Sequence, residues 1–336
     1  ARNPRAFASA MPAFNTDVVI APGAKRRAIR AGDLAEFDLQ IASGGMSLPE
    51  GTRLRWSFGG DAGEAELPAI SAMSVHGVSV STKAGNIPAS CMMDARFELI
   101  APDGRTITAN SETLSLYAPR VNNVVRFHSD NEQIRDRLAA FGHEPIPAGA
   151  DGIFVTHQIG PETVEAIHAG QRVLQVVAKA PGRLRDDTPP RDGPMSLIID
   201  QEQGGLISGS YFTFPGYSLV DRHKSIWRGD WVGNFSWLRR DDAFSHVPGG
   251  PLLDLSFDNV VPHQLMTGFR PWEFQGRVHA GVVVGWVHKP AAFIIEKRLG
   301  RGKLVATTFR VQSEAAVDDP VAEALYNGLL ALTMRD

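Results

Sequence analysis

Residues 17–119 alternate between apolar and polar side chains over short stretches. Turn signals such as Pro22-Gly23, Gly44-Gly45 and Gly59-Gly60 separate these stretches. Because a period of two residues is typical of a half-buried strand, the pattern predicts seven strands. They are DVVIA, EFDLQIA, RLRWSF, GVSVST, ARFELIA, RTITAN and TLSLYAP. Seven short strands in one such stretch indicate an antiparallel β-sandwich of the immunoglobulin-like type, with Trp56 as the expected core residue.

The pattern changes after Pro119. NNVVRFH is a continuous apolar strand, and NEQIRDRLAAFG repeats Ile134, Leu138 and Phe141 at helical spacing after an expected cap at Ser129-Asp130. A second strand, helix and strand follow as GIFVTH, PETVEAIHAG and RVLQVVA. This order predicts right-handed crossovers and a parallel sheet. We therefore predict a doubly wound, flavodoxin-like α/β domain over residues 120–336.

The remaining apolar stretches complete that domain. MSLIID and RVHAGVVVGWV are expected strands, and residues 291–311 are an expected hairpin that turns at Gly300-Arg301-Gly302. A last helix begins after Asp319 with Pro320 in its first turn and places Leu325, Leu329 and Leu332 on one face.

Composition narrows the class of protein. A chain of 336 residues with 43% hydrophobic and 21% charged residues is typical of a soluble globular protein of two domains. A net charge of -3 argues against a nucleic-acid partner, because binding phosphates requires a basic face. The single cysteine, Cys91, excludes an internal disulfide and a cysteine metal cluster. No apolar run is long enough to suggest a membrane span, and the first residues do not have the pattern of a signal peptide. The sequence does not begin with methionine, which suggests a fragment or a processed product.

Catalytic motifs are absent from the sequence. It contains no GxSxG elbow, Walker loop, GxGxxG after a strand or HExxH. Ala178, Lys179 and Ala180 follow the third strand of the α/β pattern, at the elbow where amidotransferase-like sheets would hold a nucleophilic cysteine or serine. His157 ends the second strand and is expected to be a hydrogen-bonded structural residue. We predict no catalytic residue, no metal and no cofactor in this chain.

The most unusual stretch is residues 211–240, which hold three of the six tryptophans among basic residues. Such aromatics either stack on sugar rings or pack into a core, and core packing is expected of Trp237 in particular. The candidate residues for contact with a sugar or a partner are Tyr211, Phe212, Trp227, Arg228, Trp231 and Trp237.

Long strings of this sequence resemble a known family. NPRAF, DVVIAPGAKRRAIRAGD, LRWSF and ITANSETLSLYAP resemble the sandwich that follows the catalytic barrel in bacterial glycoside hydrolase family 2 proteins of the β-galactosidase-like type. GDWVGNFSWLRR, residues 280–311 and DPVAEALYNGLLAL resemble the C-terminal domain of the same proteins. That domain is similar to class I glutamine amidotransferases without their catalytic residues.

The resemblance implies a function in carbohydrate degradation. The acid/base and nucleophile glutamates of these retaining hydrolases lie on a TIM barrel that would precede residue 1, so the chain is expected to be a non-catalytic accessory region. Residues 1–16 are then a linker, the partner is the upstream barrel or a second subunit, and the location is periplasmic or extracellular. The alternative is a free-standing carbohydrate-binding module that binds an oligosaccharide through residues 211–240.

Overall fold

The computed structural model describes residues 16–119, 123–177, 218–221, 234–267, 276–284 and 291–336. The chain divides into two compact units, Ala1–Arg120 and Val121–Asp336. The predicted strand MSLIID lies outside the described residues. Within the described ranges, no helix is long and apolar enough to cross a membrane.

The first unit is built from strands. In chain order its described strands are β1 (Val18–Ala21), β2 (Ala28–Arg30), β3 (Leu34–Ser43), β4 (Arg53–Phe58), β5 (Asp61–Glu66), β6 (Ser74–Lys83), β7 (Cys91–Ile100) and β8 (Thr106–Tyr117). One sheet has the order β1-β3-β6 and the other β2-β8-β7-β4-β5. All pairs are antiparallel except β2 with β8.

Both sheets of the first unit contribute to one apolar core, as in a β-sandwich. Phe37 of β3 is buried in this core, with ring centroids 6.3 Å from Phe58 and 5.1 Å from Phe97 of the other sheet. Trp56 is only partly buried, and its indole lies over Gly63 of the edge strand β5, where a Cβ atom would be 2.2 Å from Cζ2. The prediction that Trp56 is a core residue is met in part, since Trp56 packs against the core while remaining partly exposed, whereas Phe37 is fully buried.

The strands of the first unit differ from the prediction at several places, including β2 at Ala28–Arg30, which the pattern does not predict. RTITAN and TLSLYAP form one strand, β8, because its residues 106–116 pair along β7 with a single irregularity near Ile100. The sequence of β5, DAGEAE, lacks apolar alternation, and it becomes a strand through the tight turn at Gly59-Gly60. Both glycines have positive φ, as a two-residue hairpin turn with the twist of its strands requires.

The second unit combines a parallel part with a larger antiparallel part. Its first elements are β9 (Arg126–Ser129), α1 (Glu132–Ala140), β10 (Glu144–Pro145), β11 (Ile153–Thr156), α2 (Pro161–Ala169) and β12 (Arg172–Val176). Its later described elements are β13 (Ser218–Asp221), β14 (Asn234–Leu238), β15 (Gln264–Thr267), β16 (Gly276–Val284), β17 (Ala291–Leu299), β18 (Gly302–Thr307) and α3 (Pro320–Met334). Three short 3-10 turns occur at Asp242–Phe244, Leu255–Phe257 and Glu314–Ala316.

The sheet of the second unit contradicts the doubly wound, amidotransferase-like fold. Among the described residues it has ten strands, and its main path is β10-β9-β11-β12-β18-β17-β15-β13. The pairs from β10 to β18 are parallel, as the strand-helix order predicts, whereas every pair beyond β18 is antiparallel. The hairpin predicted for residues 291–311 is confirmed, because β17 and β18 pair antiparallel about a turn at Gly300. The prediction extended a local pattern of two crossovers to a sheet whose larger described part is antiparallel.

Helix α3 is buried on nearly all sides, which the sequence does not predict. Leu325, Leu329 and Leu332 are buried as expected, but Tyr326 and Leu330, which point elsewhere around the helix, are buried too.

Helix α1 begins at a different cap from the predicted one, because its N-cap is Asn131 rather than Ser129-Asp130. The Asn131 side chain accepts a hydrogen bond from the Ile134 amide at 3.1 Å.

Candidate functional site

An exposed apolar surface lies on strand β14 and its neighbours. Phe235 faces Val283 of β16 across the antiparallel pair, and the two residues are 56% and 55% exposed. Trp237 lies two residues after Phe235 and so projects from the same face of the strand. Leu252, which is 48% exposed, forms an isolated bridge with Trp237 on the other side of β14. We call Phe235, Trp237, Leu252 and Val283 together the platform.

The opposite face of the same strands is anchored in the protein core. Leu238, Ala280 and Val282 alternate with the platform residues and are almost completely buried. One face of these strands is thus packed on the core, and the other is left to solvent. The platform is therefore formed before any ligand arrives, and binding to it does not require ordering of its strands.

Gly281 brings the indole of Trp237 close to the backbone. A Cβ atom at Gly281 would lie 3.2 Å from Trp237 Cζ2 and 2.4 Å from the Ala291 carbonyl oxygen. The glycine lies directly opposite Trp237 in the pairing of β14 with β16. Trp237 is consequently half-buried, with part of its surface left accessible beside the more exposed Phe235.

Arg240 fixes the segment that carries Leu252. Its Nε donates to the Pro248 carbonyl oxygen at 3.0 Å, and its guanidinium lies 5.6 Å from the centre of the Phe257 ring. Main-chain hydrogen bonds between residues 236–238 and 251–253 attach the same segment to β14. Leu252 thus belongs to the platform because of main-chain pairing and because Arg240 holds its loop.

A charged pair stands at one end of the platform. Arg239, two residues beyond Trp237, pairs with Asp241 at 2.9 Å, and both side chains are about half exposed. The Arg239 amide also donates to the His279 carbonyl oxygen at 2.8 Å, which continues the pairing of β14 with β16. Guanidinium donors and carboxylate acceptors next to an apolar surface are groups that can bind hydroxyls.

Most of the candidate residues chosen from the sequence lie outside the described residues. Tyr211, Phe212, Trp227, Arg228 and Trp231 are outside the described residues, and so are Ala178, Lys179 and Ala180. Trp237 is described, and it is shared between packing on Gly281 and the exposed surface. Sequence reasoning missed Leu252 and Val283, because only strand pairing brings them next to β14.

The carboxyl ends of the parallel strands are a second place where a ligand site is expected. There the polar groups bind one another. His157 Nδ1 lies 2.7 Å from the Val176 carbonyl oxygen, and Gln175 Nε2 donates to the His157 carbonyl oxygen at 3.2 Å. These contacts tie the end of β11 to the end of β12. His157 therefore has the structural role that the sequence favours.

His128 occupies the end of β9 in the same region. Its ring stacks on Phe154 with centroids 4.8 Å apart and planes inclined by 12°. Burial lowers the pKa of His128, while the nearby Asp130 carboxylate acts in the opposite direction. Throughout the described ranges, no three His, Cys, Asp or Glu side chains converge as a metal site requires.

Comparison with known proteins adds little to this description. No family model matches the sequence, and a comparison with curated proteins finds no match. Several solved structures share part of its backbone path. A CARDB domain from Pyrococcus furiosus has 11% identity, covers 31% of this chain and 94% of its own, and has a TM-score of 0.26.

The other two similarities are of the same order. The DNA glycosylase AlkC from Pseudomonas fluorescens has 12% identity and covers 31% of this chain and 32% of its own, with a TM-score of 0.24. The sporulation control protein Spo0M from Bacillus subtilis has 10% identity and covers 38% of this chain and 55% of its own, also with a TM-score of 0.24. At such low scores these similarities carry no argument about function. The resemblance to glycoside hydrolase family 2 stays a prediction.

Proposed function

We propose that this chain is a non-catalytic accessory region that contacts carbohydrate through the platform, as part of a protein similar to glycoside hydrolase family 2. The observation that carries the proposal is the placement of Phe235 and Trp237 side by side on the outer face of a sheet whose other face is buried. Aliphatic neighbours extend this surface on both sides of β14. It is the kind of exposed apolar patch that marks a binding surface.

The chemistry of sugars fits such a surface. A pyranose ring has an apolar face of C–H groups that packs on aromatic rings, and its hydroxyls need hydrogen-bond partners at the edge. Phe235 and Trp237 provide the rings, and the Arg239–Asp241 pair provides donors and acceptors. A polar rim around an apolar centre is also how binding sites combine affinity with orientation.

The non-catalytic part of the proposal rests on the sequence. None of the tested catalytic motifs occurs, and the resemblance places the catalytic glutamates of the family on a barrel upstream of this chain. The role left for this region is to hold a sugar chain or to pack against the barrel or a second subunit. The platform is suited to contact with a sugar chain or with a protein partner. A sugar-binding experiment distinguishes these two roles.

Calorimetric titration with β-linked galacto-oligosaccharides tests the proposal. We expect saturable binding by the unaltered chain and a Kd about tenfold weaker in Phe235→Ala, a loss of roughly 1.4 kcal/mol. Phe235 is exposed, so its removal should leave the fold intact. Trp237→Ala should weaken binding further.

A matched pair of valines provides the control. Val283 of the platform and Val75 of β6 are both exposed strand residues, at 55% and 65%. Val283→Ser should weaken binding, whereas Val75→Ser should not. Absence of heat at saturating oligosaccharide, or equal affinity in all four variants, would exclude the platform as a sugar site.

A further inference from the structure

Three ionisable side chains meet inside the second unit. Glu296 of β17 is held between its two neighbouring strands, with Oε2 2.9 Å from His279 Nε2 and Oε1 2.8 Å from Lys303 Nζ. The side chains of Glu296, His279 and Lys303 are 14%, 8% and 5% exposed. We call these three residues the Glu296 cluster. Charges buried to this extent persist in proteins only when they are paired.

Lys303 also binds the end of helix α3. Its ammonium donates hydrogen bonds to the carbonyl oxygens of Leu332, at 3.1 Å, and of Arg335. These carbonyls belong to the last turn and the cap of the helix, where the main-chain groups lack helical partners and carry partial negative charge. One buried cation thus joins a strand, a carboxylate and the helix end.

We propose that the Glu296 cluster holds the end of the C-terminal helix in an acid-sensitive manner. Neutralising Glu296 then releases the last turn of α3 while the sheet stays folded. This inference is independent of sugar binding. When Glu296 loses its charge, Lys303 becomes a buried cation with only carbonyl partners. Such a cation must gain water. Met334, Arg335 and Asp336 are exposed, so displacement of this chain end gives the ammonium its access to solvent.

Other charged groups around Glu296 also favour its ionised form. Arg277 of β16 lies opposite Glu296 in the pairing, and the Arg335 guanidinium lies near it while binding Asp242 Oδ2 at 2.7 Å. The Glu296 carboxylate can only accept, so its contact with His279 Nε2 requires a hydrogen on that nitrogen. The negative charge of Glu296 is therefore the element on which the cluster depends.

The hydrogen bond from His279, assisted by Lys303, holds the pKa of Glu296 at about 2. A carboxylate whose pKa is lowered on folding contributes stability above its ordinary pKa, and this contribution is lost as the pH falls towards the folded value. The attachment of the end of α3 through the Glu296 cluster should therefore be intact at neutral pH. It should weaken progressively below the ordinary pKa of a glutamate.

Hydrogen–deuterium exchange of the full chain tests the inference. After correction for intrinsic rates, we expect amides of residues 330–336 to exchange about tenfold faster near pH 3 than near pH 7, while α2 keeps its protection. Glu296→Gln should show the faster exchange already at neutral pH. Glu36→Gln, which removes an exposed partner of Lys25, is the matched control and should show no change.

A double variant keeps the test decisive if Glu296→Gln folds poorly. Combining Glu296→Gln with Lys303→Met removes the stranded cation together with its partner, and exchange of residues 330–336 should then no longer depend on pH. Equal protection of the last turn at both pH values in the unaltered chain would overturn the inference. Simultaneous opening of α2, α3 and the sheet at low pH would overturn it as well.

Discussion

At the scale of single residues, glycines allow large aromatic rings to reach the backbone. Gly63 lies under the indole of Trp56, and Gly328 of α3 lies against Phe244, where a Cβ atom would be 2.4 Å from Cδ1. Phe244 is completely buried. A ring packed this tightly has little room to move, so the space at Gly328 is as important as the side chains around it.

Replacing Gly328 should therefore destabilise the second unit. A leucine there improves helix propensity, but it collides with Phe244 and with the Ala243 carbonyl oxygen, 2.9 Å from the added Cβ. Overpacking of a filled core costs about 1–3 kcal/mol, and we expect a decrease of this size in the free energy of unfolding of Gly328→Leu. Ala331 is an exposed residue of the same helix, and Ala331→Leu should leave urea unfolding nearly unchanged.

At the scale of elements, the ends of α3 are fixed by buried charged residues. Lys303 binds its last turn, and Asp319 caps its first turn by accepting from the Val321 amide at 2.7 Å. The second carboxylate oxygen of Asp319 accepts from Asn259 Nδ2 at 2.8 Å. The cap thus connects the helix to the segment around residue 259.

Removal of this cap has a specific expected cost. Asp319→Ala should lower the free energy of unfolding by about 1–2 kcal/mol for the lost cap, and by more if the Asn259 amide stays unpaired. Asp319→Asn retains an acceptor for the Val321 amide and should lose less. Thermal or urea unfolding of the two variants measures the difference, and equal stabilities would contradict this role of the carboxylate.

Sequence periodicity predicts these elements unequally. Strand β3 alternates buried and exposed residues almost perfectly, and α2 has proline at its start and glycine at its end, so both can be recognised from the sequence. Strand β5 cannot, because it depends on the turn at Gly59-Gly60 and on pairing with β4. The burial of α3 on nearly all sides also depends on contacts that are distant in the chain.

At the scale of the whole molecule, the fold of the second unit depends on which distant strands pair, and local sequence patterns do not predict that pairing. Residues 126–176 form the predicted strands and helices, yet the sheet continues with antiparallel strands instead of further crossovers. The platform has the same origin, since β14 is joined to Val283 and Leu252 by pairing alone. The aromatic stretch was recognisable from composition, but its aliphatic partners were not.

Hydroxyl-radical footprinting with and without a β-linked oligosaccharide tests the central claim most directly, because it locates the bound sugar. We predict that labelling of Phe235 and Trp237 falls severalfold on binding, while Met73 and Val75 of the first unit, both highly exposed, keep their rates. Binding that leaves the labelling of Phe235 and Trp237 unchanged would contradict the assignment of the platform as the sugar-contact surface.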